Sequence, residues 1–176
     1  AGARTAVVEM NGQLGGTMTI GGVSAPAYFF SPEGQVIAGI GWELVRKTKA
    51  LDGTPWPDFD KPNWPRPSHH VRINPAVYAL LAEEACLDAG VTLHYHEILA
   101  GIEREGDAWQ VRTAGKGLER TITAREVIDC TGDADVVGML GLARRRSEMR
   151  QPGTLAFKFV GYDLDDLDDD DPQKWQ

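Results

Sequence analysis

Short apolar runs, broken by glycine, proline and acidic residues, recur along this chain, and their spacing predicts alternating strands and helices. Thr5-Ala6-Val7-Val8-Glu9 reads as a short buried β-strand ending on an acid. Residues 10–34 are glycine-rich and alternate small with polar positions, so they read as a loop with at most a short helix. Over residues 35–50, Val36, Ile37, Ile40, Leu44 and Val45 fall on one face at helical spacing. Pro55, Pro57, Pro62, Pro65 and Pro67 then forbid regular structure across residues 51–70, with Trp56, Phe59 and Trp64 as apolar anchors. A connection of that length is usually functional or pinned onto a neighbouring surface.

Asn74-Pro75 predicts a helix start, because asparagine caps the first turn and proline suits its first position. That helix runs to about Ala89 with Val77, Leu80 and Leu81 inward, and Gly90 stops it. Val91 to Glu97 reads as a strand. Residues 98–105, 108–113 and 118–124 follow as short strands, with turns at Glu105-Gly106-Asp107 and Gly115-Lys116-Gly117, which makes an antiparallel meander. Val127 to Cys130 is a further apolar strand, residues 134–141 a helix and residues 154–160 another strand. The order reads as α/β. Helices between two strands point to parallel pairing, and the meander reads as an excursion that leaves the sheet edge and returns at Glu126.

Composition changes this picture little. The chain has 176 residues, 42% hydrophobic and 25% charged, as one soluble globular domain would. Its net charge is −8, but Asp163, Asp165, Asp166, Asp168, Asp169, Asp170 and Asp171 concentrate the excess in a tail that reads as a flexible linker. The near-neutral body lacks the basic face that nucleic acid requires. No apolar stretch approaches a membrane span, and the first residues do not read as a signal peptide, so the expected location is cytoplasmic. Cys86 and Cys130 stand far apart and read as small buried hydrophobes rather than a disulfide pair.

The candidate chemistry lies at the strand ends, where an open parallel sheet presents a nucleotide site. Glu9 is either an exposed strand-end acid or the acceptor for adenosine ribose hydroxyls. Gly15-Gly16-Thr17 is either a plain turn or a place where backbone closely approaches a ligand. Thr131-Gly132-Asp133-Ala134-Asp135 opens a helix; its amides suit a phosphate or ribityl chain, and its acids equally suit the helix N-terminus. Gly39-Ile40-Gly41 resembles a nucleotide loop only superficially, because it lies inside a helical pattern. His94-x-His96 places two imidazoles on one strand face, an ordinary polar face with no third metal ligand in view. His69-His70 is either an acid–base pair beside a reacting group or, as it reads more readily, a surface loop, and Arg144-Arg145-Arg146 is either a contact for an anionic substrate or, more readily, a solvated turn.

These motifs, in this order, resemble an FAD-dependent oxidoreductase of the glutathione-reductase-like superfamily. Gly2-Ala3-Arg4-Thr5-Ala6-Val7-Val8-Glu9 is similar to that family's second strand with its ribose-binding acid. Gly12-Gln13-Leu14-Gly15-Gly16-Thr17 resembles its glycine pair on the flavin side. Gly90 through Ile102 resembles the segment leading to the meander, with Leu99 where the family's backbone meets adenine. Val127-Ile128-Asp129-Cys130-Thr131-Gly132-Asp133-Ala134-Asp135 resembles its strand ending in Ala-Thr-Gly-Asp-Gly-Asp, with Cys130 for the usual alanine and Ala134 for the usual glycine, both small. Gln151-Pro152 and residues 154–159 resemble entry into a substrate-binding part.

The resemblance implies a partial FAD/NAD(P)-binding, Rossmann-like three-layer domain over residues 1–150. Residues 151–176 would begin a substrate domain and carry the acidic tail. The implied cofactor contacts are Glu9, Gly15, Gly16, Thr17, Leu99, Thr131, Gly132 and Asp133; no catalytic acid or base and no metal ligand is nominated. The family's G-x-G-x-x-G loop and its C-terminal cofactor segment do not occur in the sequence. The expectation is therefore an internal fragment that holds FAD weakly alone, acts on a small molecule in its parent, and forms a homo-oligomer or pairs with a missing segment. Two other functions remain open at this point: a nicotinamide-only dehydrogenase, and a non-catalytic module that binds a partner.

Overall fold

Val7 and Val8 are β-branched and favour extended backbone. They form β1 (Ala6–Glu9), whose parallel neighbour arrives only after two helices. The computed structural model describes residues 2–31, 33–59, 70–145, 147–149, 152–153 and 155. After β1 come a 3₁₀ turn at Gly16–Met18, the two-residue strands β2 (Phe30–Ser31) and β3 (Gly34–Gln35), and helices α1 (Ile40–Asp52) and α2 (Pro75–Asp88). They are followed by β4 (Thr92–Tyr95), β5 (Glu97–Glu105), β6 (Ala108–Gly115), β7 (Leu118–Ala124) and the short helix α3 (Asp135–Met139). β1 pairs in parallel with β4, from Ala6 opposite Thr92 to Glu9 opposite Tyr95. β5, β6 and β7 form the expected antiparallel meander, with Gly106 at φ 58° and Gly117 at φ 74° in its two turns. Among the described residues no helix is long and apolar enough to cross a membrane.

Phe29, Val45, Val71, Ile73 and Tyr78 make the buried core around the two long helices. Aromatic rings extend it: Phe30 stacks on Phe59 at 4.1 Å, and Trp42 touches Phe29 at 4.9 Å and Trp56 at 5.4 Å. Trp56 and Phe59 thus anchor the start of the proline-rich connection, as expected; residues 60–69, with Trp64, Pro62, Pro65 and Pro67, lie outside the described residues. The base of that connection is tied down by Lys49, which is 3% exposed. Its ammonium donates to Thr54 Oγ1, to Pro55 O at 2.7 Å and to Arg72 O at 3.1 Å. Burial pushes the Lys49 ammonium below its ordinary pKa, and the nearby Asp52 charge works against that. Asp52 accepts from Thr54 N at 2.9 Å and from Asn74 N at 2.9 Å, which joins the end of α1 to the start of α2.

α2 begins where expected. Asn74 Oδ1 accepts from Ala76 N at 3.0 Å and Val77 N at 3.3 Å, and Gly90, just past its end, has φ 72°. Its inward face differs from the expected one. Tyr78 and Ala79 are buried while Leu80 is 56% exposed. Apolar residues surround this helix, so periodicity alone does not choose the face that meets α1 and β4. The first helix also starts later than expected. Gly39, at φ 86°, precedes Ile40 as the cap of α1, and Val36 and Ile37 are extended, both donating to Phe29 O. Gly39-Ile40-Gly41 is therefore a helix start and not a helix interior.

Two predicted strands are corrected. The strand over 91–97 stops at Tyr95, because His96 has φ 56° and turns the chain into β5. Val127 to Cys130 forms no strand: no ladder partner lies beside it among the described residues, and Ile128 is 84% exposed. Cys130 is exposed and Cys86 half-buried, so Cys130 is not the buried hydrophobe expected. The strand over 154–160 and the acidic tail fall almost wholly outside the described residues.

Glu97, 3% exposed, joins the parallel pair to the meander. Its carboxylate accepts from Thr113 Oγ1 at 2.6 Å, and lies 3.0 Å from Arg120 Nε and 3.5 Å from His94 Nδ1. Replacing it by alanine strands a buried hydroxyl and releases Arg120. Glu97→Ala is expected to lower unfolding free energy by about 2 kcal/mol, and Asn74→Ala by about 1 kcal/mol, in urea titrations.

Candidate cofactor site

Parallel pairing brings the carboxyl ends of β1 and β4 to one edge, with Glu9 opposite Tyr95. The chain turns sharply after Glu9. Glu9 Oε1 accepts from Asn11 N at 2.8 Å and from Asn11 Nδ2 at 2.9 Å. Its other oxygen has no protein partner among the described residues. Tyr95 Oη donates to Glu83 at 2.8 Å and so fastens α2 over this edge; burial, then the Glu83 carboxylate, pushes the phenol up to about 12.

Gly15, Gly16 and Thr17 follow in the 3₁₀ turn, and the two glycines differ in what they do. A Cβ on Gly15 would meet Thr19 Cγ2 at 2.5 Å, so that glycine lets the turn close on itself. Gly16, at φ 53°, has open space where a Cβ would stand, which leaves its backbone approachable. Thr17 is exposed. Leu99 is half-buried on β5 beside a register shift between Leu99 and Gly101. β5 packs against both β1 and α3, so Leu99 sits on the strand these two ends share.

The segment around Thr131 is organised by Asp129. Asp129 Oδ1 accepts from Thr131 N at 3.1 Å and Thr131 Oγ1 at 2.7 Å, and Oδ2 accepts from Val137 N at 3.2 Å. Thr131 Oγ1 in turn accepts from Asp135 N at 2.9 Å. The side-chain bond from Thr131, followed by the backbone bonds, holds the Asp129 carboxyl below its ordinary range. Gly132 has φ 84° with open space around it, and Ala134 has φ 56°. That position is where the resembled pattern has glycine; the left-handed backbone explains why, and alanine there carries about 1 kcal/mol of strain. Arg144 Nη1 donates to Asp133 O and Ala134 O, both at 3.3 Å, and its guanidinium fills the room that Gly138 leaves.

An open cleft of about 950 Å³ runs beside this turn, lined by Gly132, Asp133, Asp135, Val137, Arg144 and Ser147 among others. Gly132 and Asp133 therefore share one cleft, which Thr131 does not line. Glu9, Gly15, Gly16, Thr17 and Leu99 do not line it. The two ends are linked through β5 rather than by a common wall. Asn11, Asp129 and Arg144 have no place among the residues expected from sequence, although they hold the expected ones. The spacings Glu9-x-Asn11 and Asp129-x-Thr131, each a side chain bonding two residues along, carry the available signal. Among the described residues no three His, Cys, Asp or Glu side chains converge as a metal site.

The donor set suits a dinucleotide: a carboxylate oxygen open to hydroxyls at a parallel-strand edge, and glycine backbone at Gly16 and Gly132 with no described atom where a Cβ would stand. The chain belongs to the FAD dependent oxidoreductase family, whose model matches residues 1–176. No curated protein and no solved structure matches it.

Asp129 gives this turn an acid limit. Its folded-state pKa lies below the ordinary value near 3.9, so its stabilisation is complete above that value and is lost as pH falls through the lower one. Amide exchange at Thr131 and Val137 is expected to accelerate below about pH 4, relative to amides of β6. Asp129→Asn is expected to remove that acid step while raising exchange at neutral pH.

Proposed function

We propose that this chain is a segment of an FAD-dependent oxidoreductase and supplies contacts to both ends of the cofactor. The parallel pair of β1 and β4 is then part of a Rossmann-like sheet in a domain spanning residues 1–150, with β5 to β7 as its meander. Residues 151–176 begin the substrate domain. FAD, when bound, supplies hydride or electron-pair transfer with a small-molecule substrate. The chain's own residues bind and orient. Glu9 accepts hydroxyls of the adenosine ribose on the oxygen that Asn11 leaves open. The backbone of Gly15, Gly16 and Thr17 meets the cofactor on the flavin side, and Leu99 backs the adenine. Thr131, Gly132 and Asp133 face the phosphate and ribityl stretch, in a turn held by Asp129 from within and by Arg144 from outside.

One observation carries this reading: Glu9 ends a parallel strand with one carboxylate oxygen committed to Asn11 and the other without a protein partner among the described residues. The family membership supports it. Fluorescence titration of the purified chain with FAD and with FMN tests it. Saturable FAD binding is expected, weak enough that the chain does not retain the flavin through purification. Glu9→Gln is expected to weaken FAD binding by about tenfold or more, the worth of hydrogen bonds to a charged acceptor, and to leave FMN binding unchanged. A chain that shows no saturable FAD binding, or a Glu9→Gln variant that binds FAD as the wild type does, defeats the reading.

A further inference from the structure

The two histidines of His94-Tyr95-His96 part company. His94 Nδ1 lies 3.5 Å from the buried Glu97 carboxylate. His96 leaves the strand at φ 56° and lies over Gly12. A Cβ built on Gly12 would stand 2.9 Å from His96 Cε1 and 3.0 Å from Nε2. Gly12 does not have positive φ, so glycine is needed there for room and not for backbone freedom. The His96 amide donates to Asn11 O at 3.2 Å, which fixes the residue against the turn that Glu9 and Asn11 form.

Each alternative role would select another residue. A position wanted only for its left-handed backbone is filled at less cost by glycine or asparagine. One wanted only to cover Gly12 is filled by an apolar side chain. His96 instead places an exposed imidazole at the carboxyl edge of β4, with neither ring nitrogen hydrogen-bonded among the described residues. Strained backbone, a glycine that makes way for the ring, and an unpartnered polar ring coincide beside Glu9.

We propose that His96 is a binding residue for an adenine nucleotide. Its free ring nitrogen would hydrogen-bond to the adenosine ribose alongside Glu9. This rests on the assignment of the adenosine end to this edge. Pairing the two residues from adjacent strands gives the ribose two polar contacts of different character, one an acceptor only and one able to donate.

Calorimetric titration with ADP and with FMN, on the whole chain and its His96→Gly, His96→Phe and Glu9→Gln variants, tests it. His96→Gly frees the backbone and removes the ring; its melting temperature is expected to equal or exceed the wild type's. His96→Phe keeps a ring over Gly12 without a hydrogen bond. Both are expected to weaken ADP binding roughly 5- to 10-fold, the value of one neutral hydrogen bond, with FMN binding unchanged. If His96→Gly or His96→Phe binds ADP as the wild type does while Glu9→Gln is weakened, His96 is not a ligand contact and the functional reading stands. If the wild-type chain binds neither ADP nor FAD, both fall.

Discussion

A buried carboxylate governs how this chain is put together. Glu97 stands at the point where β4 gives way to β5, and it takes partners from three strands: His94 on β4, Thr113 on β6 and Arg120 on β7. Desolvating a carboxylate is costly, so the group is tolerated only when those partners are all in place. That requirement couples the parallel pair to the meander. It also aims β5, which then lies against β1 on one side and α3 on the other. The two ends of the candidate site owe their common frame to this strand, although no single wall joins them.

Much of the fold was legible because local chemistry and tertiary structure agree. The meander is punctuated by Gly106 and Gly117 in left-handed turns, and α2 opens on an asparagine that caps two amides. Parallel pairing of β1 with β4 follows from the helices between them. The failures share one cause, which is that spacing says nothing about partners. Val36 and Ile37 match a helical face yet hang as extended backbone from Phe29 O, because the glycine conformation at position 39 separates them from α1. Leu80 belongs to a helix apolar all round, and only contact with α1 and β4 selects Tyr78 and Ala79 for burial. Val127 to Cys130 has a strand's composition and has no ladder neighbour among the described residues.

Of the candidate site, the sequence points to the glycines and to Glu9, and less to what supports them. Gly16 and Gly132 have positive φ and open surroundings. Asn11 and Asp129 act through bonds two residues long, which sequence shows as weak patterns among many like them. Arg144 reaches back ten and eleven residues to its carbonyls, a contact no local pattern encodes. Ala134 is the instructive case. Read as a small residue in a small residue's place, it looks neutral, yet its backbone is left-handed and the exchange with glycine has a conformational cost.

Lys49 has a consequence outside folding and binding. Thr54 Oγ1 and the carbonyls of Pro55 and Arg72 take the three hydrogens of its ammonium, and the Trp56 ring lies 5.6 Å away as a roof. An acylating reagent needs a path to the amine, and Lys49 offers none while those contacts hold. Lys47 and Lys116, exposed on the surface, are open to it. The chain thus carries its own chemical clock: the lag of Lys49 labelling behind the surface lysines measures how often the neck of the proline-rich connection comes apart.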